Sequence, residues 1–193
     1  MAALEWTEAL VLDLPLMDDT HREFVDLLAA VEQAGDDQVL PAWQALIDHT
    51  DQHFGQEDYW MAATRFASGN CHSTQHKVVL TIMREGAERG AKGELDVVRT
   101  MARELAVWFP QHSQSMDAAL ALHLRRVGYD PATDTVHAPD ALPQELIHGC
   151  GGACSSGDDE EHARDWVLRV DQATADRVDA TMDRADLIVT ILD

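Results

Sequence analysis

Residues 43–61 read WQALIDHTDQHFGQEDYWM, and residues 71–83 read CHSTQHKVVLTIM. In the first stretch Trp43, Leu46, Thr50, His53, Glu57 and Trp60 recur at steps of three and four, the period of one helix face. In the second stretch His72, His76, Val79 and Met83 follow the same rule. Both seams are helical, and both carry histidine where an ordinary seam carries only hydrocarbon.

The flanking sequence repeats the pattern. A first helix is expected to open near Asp18-Asp19-Thr20, good N-cap residues, and to run to about Glu32. His21 shares its apolar stripe with Phe24, Val25, Leu28 and Val31. Helix two begins near Val39, with Pro41 tolerated in its first turn, and is expected to end at Ser68-Gly69-Asn70. Helix three stops around Gly90 or Gly93. Helix four has the seam Val98, Met101, Leu105, Trp108, His112, Ser115, Ala119 and Leu122, and Gly128 terminates it. Pro110 lies inside this helix and predicts a kink over 106–110. Four amphipathic helices on short loops pack most simply as an all-α, up-down-up-down four-helix bundle. The expected organisation is therefore a bundle over residues 1–128, a Gly-, Pro- and acid-rich linker over 129–164, and a short C-terminal segment over 165–193. In that segment a short strand precedes a helix from about Ala173.

Composition removes several function classes. The 193 residues carry 14 Lys+Arg against 35 Asp+Glu, a formal charge of −21, which excludes nucleic acid and anionic membrane surfaces as partners. No apolar run approaches the roughly 20 residues needed to span a bilayer. Three cysteines are too few for a secreted disulfide framework, and the acidic N-terminus is unlike a signal peptide, so a soluble cytoplasmic protein is expected. Residues 131–193 hold 14 acids and 4 bases, denser in negative charge than the bundle, which makes the acidic tail a candidate contact for a protein partner.

The histidines carry the chemistry. His21, His53, His72, His76 and His112 all fall on core-facing stripes. One such residue is ordinarily a satisfied core histidine. Five converging imidazoles cannot hydrogen-bond one another into satisfaction in an apolar interior. A metal solves that problem, because it takes one ring nitrogen and leaves the other free to donate outward. His53 with Glu57, and His72 with His76, are each four residues apart, so each pair can chelate from a single rigid helix.

Four segments together, 17–24 (MDDTHREF), 53–61 (HFGQEDYWM), 72–76 (HSTQH) and 108–117 (WFPQHSQSMD), resemble the hemerythrins, in particular their bacterial single-domain branch, over roughly residues 4–128. That resemblance implies metal ligands at His21, His53, Glu57, His72, His76, His112 and Asp117. It implies two non-haem irons bridged by an oxide or hydroxide and by two carboxylates. His72, His76 and His112 would serve one iron, and His21 and His53 the other. Such a set supplies about eleven bonds, against twelve for two octahedral ions, so one position stays open for dioxygen. On an ideal helix Asp117 lies about 140° around from His112, so its assignment rests mainly on the resemblance. Phe54, Trp108 and Phe109 adjoin these positions and are expected to form an apolar pocket for the bound ligand.

His49 is expected to lie at the surface or behind the ligands. His123, His137, His148 and His162 fit no ligand spacing and are expected to be solvated. Cys150 and Cys154 are expected to sit in a glycine-rich linker, and the acids of 158–161 in a solvated segment. The resemblance implies reversible dioxygen binding, for storage, buffering or delivery, rather than enzymatic turnover. Two alternatives share the same site: an oxygen or redox sensor signalling through the tail, and a di-iron redox enzyme acting on peroxide or nitric oxide.

Overall fold

The computed structural model describes residues 4–66, 71–145, 168–170, 172, 174 and 189–191. Four rods form the frame: α1 (Pro15–Gln33), α2 (Val39–Ala63), α3 (Cys71–Ala91), and a fourth rod of α4 (Leu95–His112) continued by α5 (Ala118–Val127). Each rod packs on the next and α1 returns against α4, which closes a four-helix bundle.

The helix ends have local causes. α1 starts at Pro15, three residues before the expected Asp18, because proline's fixed φ suits the first turn. Asp18 still works as a cap, from inside the helix: its carboxylate accepts from the backbone N–H groups of Leu12 at 2.7 Å and Leu14 at 3.2 Å. α2 ends at Ala63 rather than at 68–70, and Arg65 follows with φ +56°. The expected stop at Ser68-Gly69-Asn70 itself lies in 67–70, outside the described residues. Gly128 ends α5 in the left-handed region at φ +61°, where a Cβ would meet His137 Cβ at 3.2 Å.

Helix four departs from its expected seam at one place. α4 runs on through Pro110, and the change of geometry falls after it, where Ser113–Asp117 form one π-helical turn. The extra residue in that turn shifts everything downstream by one position. Met116, Leu120, Ala121 and Leu124 are buried, while Leu122, expected on the seam, is 62 % exposed.

Two apolar clusters fill the bundle. One gathers Phe24, Leu28, Trp43, Leu46, Ile82, Val98, Leu105 and Phe109; the other gathers Leu14, Met17, Trp60, Met61, Leu120, Leu124 and Tyr129. The Trp43 indole N–H donates to the Met83 carbonyl at 2.9 Å, tying α2 to α3. Along α1, α2 and the fourth rod the seam passes from one cluster to the other, and the histidines sit at the crossing.

After Gly128 the chain forms an antiparallel hairpin, β1 (Tyr129–Asp130) with β2 (Thr135–Val136), then a 3₁₀ turn at Pro139–Ala141. Asp134 accepts from the hydroxyls of Tyr59 at 2.5 Å and Tyr129 at 2.8 Å, which pins the hairpin to α2. Farther on, β3 (Leu168–Val170) and β4 (Val189–Ile191) pair in parallel, and β3 lies against α4. Gln172 and Thr174 have helical backbone, close to the expected helix start at Ala173. The Arg89 guanidinium donates to Thr174 Oγ1 at 3.1 Å and bridges to Glu94 at 2.6 Å. The expectations for His148, Cys150, Cys154, the acids of 158–161 and His162 lie outside the described residues. No helix among the described residues is long and apolar enough to cross a membrane.

Candidate metal centre

α1 contributes His21, α2 contributes His53 and Glu57, α3 contributes His72 and His76, α4 contributes His112, and the π-helical turn contributes Asp117. The structure brings all seven together, each no more than 4 % exposed. The four-residue spacings act as expected, stacking His53 over Glu57 and His72 over His76. Asp117 reaches the centre for a reason the α-helical period hides. The Ala118 N–H bonds back to the Ser113 carbonyl, five residues earlier, and the widened turn sets Asp117 Oδ1 3.2 Å from His112 Nε2.

The donor atoms fall into two sets. Glu57 Oε2 faces His72 Nε2 at 3.2 Å and His76 Nε2 at 3.4 Å. Asp117 Oδ1 faces His72 Nε2 at 3.0 Å and His112 Nε2 at 3.2 Å. The other oxygens turn the other way. Glu57 Oε1 lies 2.9 Å from His53 Nε2 and 3.6 Å from His21 Nε2, and Asp117 Oδ2 lies 3.3 Å from His21 Nε2. Each carboxylate therefore offers one oxygen to a three-histidine set and one to a two-histidine set.

Only His53 Nε2 and Glu57 Oε1 among these pairs are aligned as a hydrogen bond; the rest stand close without that geometry. Nε2 of His21, His72, His76 and His112, Oε2 of Glu57 and both oxygens of Asp117 are buried without a hydrogen-bond partner. Leaving so many buried polar atoms unsatisfied is costly. Two donors about 2.1 Å from one ion and about 90° apart stand about 3 Å from each other, which is the spacing found. Atoms of Glu57, His72, His76, His112 and Asp117 lie within 4.8 Å of one another, as do atoms of His21, His53 and Glu57. Two imidazoles, two shared carboxylates and three more imidazoles are borderline and hard donors suited to a transition metal such as iron.

Without metal the cluster is an ionised network. Burial pushes both carboxyls up, and the Glu57 charge pushes Asp117 further up. The surrounding imidazoles outweigh this and hold Glu57 and Asp117 well below the usual carboxylate range. Burial pushes His21 and His72 down, but the Asp117 and Glu57 carboxylates that face them lift both to about 9. His112 goes down to about 4, because burial and the neighbouring His72 and His76 outweigh the attraction of Asp117.

Aromatic rings wall the cluster. Phe54 stacks on His76 with centroids 4.0 Å apart, Trp108 stacks on His112 at 4.4 Å, and Phe109 meets His21 edge-on at 5.2 Å. Phe109 thus borders the two-histidine set and Trp108 the three-histidine set. His49 is half-buried, hydrogen-bonded to the Thr20 carbonyl at 3.1 Å, with its ring 6.0 Å from that of His53. His123, expected in solvent, is buried: its ring donates to the Thr64 carbonyl at 3.1 Å, and the register shift after Asp117 turns it inward. His137 is exposed. Sequence reasoning missed Asp58 and Gln75, whose oxygens lie 3.0 Å from His76 Nδ1 and 3.1 Å from His112 Nδ1. Their one signal was adjacency to a ligand position.

A helical bundle with a buried histidine–carboxylate cluster at its middle defines a metal-binding four-helix protein. The hemerythrin HHE cation binding domain matches residues 12–121, and the chain belongs to the hemerythrin family. It is 37% identical over 130 residues to a bacteriohemerythrin of Ralstonia nicotianae (strain ATCC BAA-1114 / GMI1000), covering 67% of this chain and 95% of that relative. No solved structure matches the chain.

Proposed function

We propose that this protein binds dioxygen reversibly at a non-haem di-iron centre and serves oxygen storage, buffering or delivery. The observation that carries the reading is the opposed aim of the four carboxylate oxygens. Glu57 Oε2 and Asp117 Oδ1 face three imidazoles, while Glu57 Oε1 and Asp117 Oδ2 face two. Five donors stand on one side and four on the other, so the His21–His53 side is one short. The residues that would hold the irons are His21, His53, Glu57, His72, His76, His112 and Asp117, each carboxylate offering one oxygen to either donor set.

Iron held by these residues would supply the electrons that a diatomic ligand needs. The chain supplies the rest. Its five imidazoles are held neutral once metal is bound, its two carboxylates balance cationic charge, and Phe54, Trp108 and Phe109 keep bulk water and its protons away. Among the described residues no further acidic or basic side chain joins the two donor sets, which favours binding over turnover. The name of the Ralstonia relative points the same way. We assign residues 1–128 as the working unit.

The test is an anaerobic–aerobic optical cycle on iron-loaded protein with iron counted per chain. About two irons, and near-ultraviolet and visible bands that appear with oxygen and vanish on its removal, are expected. Steady consumption of reductant with oxygen, peroxide or nitric oxide would select the enzymatic reading instead.

A further inference from the structure

Behind the inward-facing nitrogens, the two donor sets are supported unequally. In the three-histidine set, His76 Nδ1 lies 3.0 Å from Asp58 Oδ1, and His112 Nδ1 lies 3.1 Å from Gln75 Oε1. The identity of that amide atom is fixed by a second neighbour. Trp108 Nε1, which can only donate, lies 3.3 Å from the same Gln75 Oε1. An oxygen already facing an indole N–H accepts from His112 as well. His112 therefore carries its proton on Nδ1 and turns a bare Nε2 to the centre. Asp58 does the same for His76 and adds a negative charge, which raises the basicity of the inward nitrogen.

Among the described residues the two-histidine set has no such backing. His21 Nδ1 has only the Ser113 hydroxyl at 3.3 Å, a group that donates as readily as it accepts. His53 Nδ1 is buried with no hydrogen-bond partner. His72 Nδ1 is also without one, so the support is concentrated on His76 and His112.

The geometry points to Asp58 and Gln75 as positioning residues that make the five-donor set fill first. Metal entering the metal-free chain would seat at Glu57, His72, His76, His112 and Asp117 before His21 and His53 are engaged. This rests on the two-metal reading above and orders it.

The experiment titrates the metal-free, full-length protein anaerobically with ferrous iron in competition with a chromophoric ferrous chelator. Wild type is expected to load in two steps. Asp58→Ala and Gln75→Leu weaken the first step about 10–100-fold and the second by less than about threefold. Gln75→Glu keeps an acceptor oxygen opposite His112 and restores the first step, whereas Ser113→Ala weakens the second step alone. A purely structural role is separated by the ¹⁵N shifts of the metal-free imidazoles. His112 shows one Nδ1–H form in wild type and Gln75→Glu, and a mixture in Gln75→Leu. The assignment is overturned by an unchanged first step in Asp58→Ala and Gln75→Leu, or by equal losses in both steps. Wild-type uptake of fewer than two ions per chain breaks the two-metal reading instead, and the variant comparison then applies unchanged to the single ion.

Discussion

The same helices build two interiors of opposite character. Around Trp43, Leu46, Val98 and Leu105 the rods bury hydrocarbon against hydrocarbon. Farther along, they bury five imidazoles and two carboxylates against one another. The first region is favourable by itself, since each large apolar side chain removed from water contributes about 1.5–3 kcal/mol. The second is a cluster of desolvated charges and unpartnered lone pairs, favourable only when something fills it. Fold and function are thus separable along a single helix: α2 anchors the bundle through Trp43 and serves the centre through Glu57.

The sharpest way to break that comparison is Glu57→Ala. One substitution removes an oxygen from each donor set. We expect iron per loaded chain to fall at least tenfold by metal analysis, while helical circular dichroism persists because both apolar clusters are intact. His76→Ala should likewise lose its iron. Wild-type iron content in the Glu57 variant would falsify the assignment of that residue.

Leu105→Ala tests the other interior. Leu105 is fully buried in the larger cluster, and truncating such a side chain costs about 2–5 kcal/mol. Denaturant melts should show that loss with and without metal, and iron per chain should stay at its wild-type value. If iron falls in step with stability, the two regions are not independent.

How much of this was legible in the sequence follows from periodicity. The seams of helices two and three name His53, Glu57, His72 and His76 directly, because an α-helix repeats its faces on a period that spacing reveals. The fourth rod breaks the rule. A π-helical turn has no residue signature in SQSMD (113–117), so α-helical counting left Asp117 off the face and put Leu122 on it. The family resemblance recovered Asp117; nothing recovered the burial of His123. The start of α1 was missed for a smaller reason, since Asp18 caps from within the first turn rather than ahead of it. Asp58 and Gln75 were invisible because their role depends on which ring crosses from a neighbouring helix.

Acidity separates the regions without mutation. In the metal-free chain His21 and His72 titrate at about 9, against an ordinary 6.5. Their stabilisation is full below pH 6.5 and is lost as pH rises through 9. His112, lowered to about 4, acts in reverse, stabilising above pH 6.5 and losing that contribution as pH falls through 4. Glu57 and Asp117, both lowered, also lose theirs on acidification. Thermal melts in chelator should therefore peak near pH 6.5 and decline on both sides. Metal binds the neutral imidazoles and releases their protons, so the loaded protein should lose the alkaline decline. An identical alkaline slope in both forms would show that these imidazoles do not carry the metal.

The smallest effect is expected at His49, and it marks the edge of the centre. His49 precedes His53 by one turn and has its ring 6.0 Å away, so by spacing alone it competes for the role of ligand. Its contacts assign it elsewhere. Nε2 is used on the Thr20 carbonyl at 3.1 Å, and Nδ1 points toward Glu23 at 3.7 Å, on the solvent side. Burial first, and then the neighbouring His53, keep its pKa lower than usual, so near neutral pH it donates as an uncharged ring. His49→Ala removes one part-buried hydrogen bond between α2 and α1, worth about 0.5–1.5 kcal/mol. Iron per chain and the oxygen-dependent bands should not change. A loss of iron here would move the boundary of the polar interior one turn along α2, toward Trp43, and the division between the two regions would have to be redrawn.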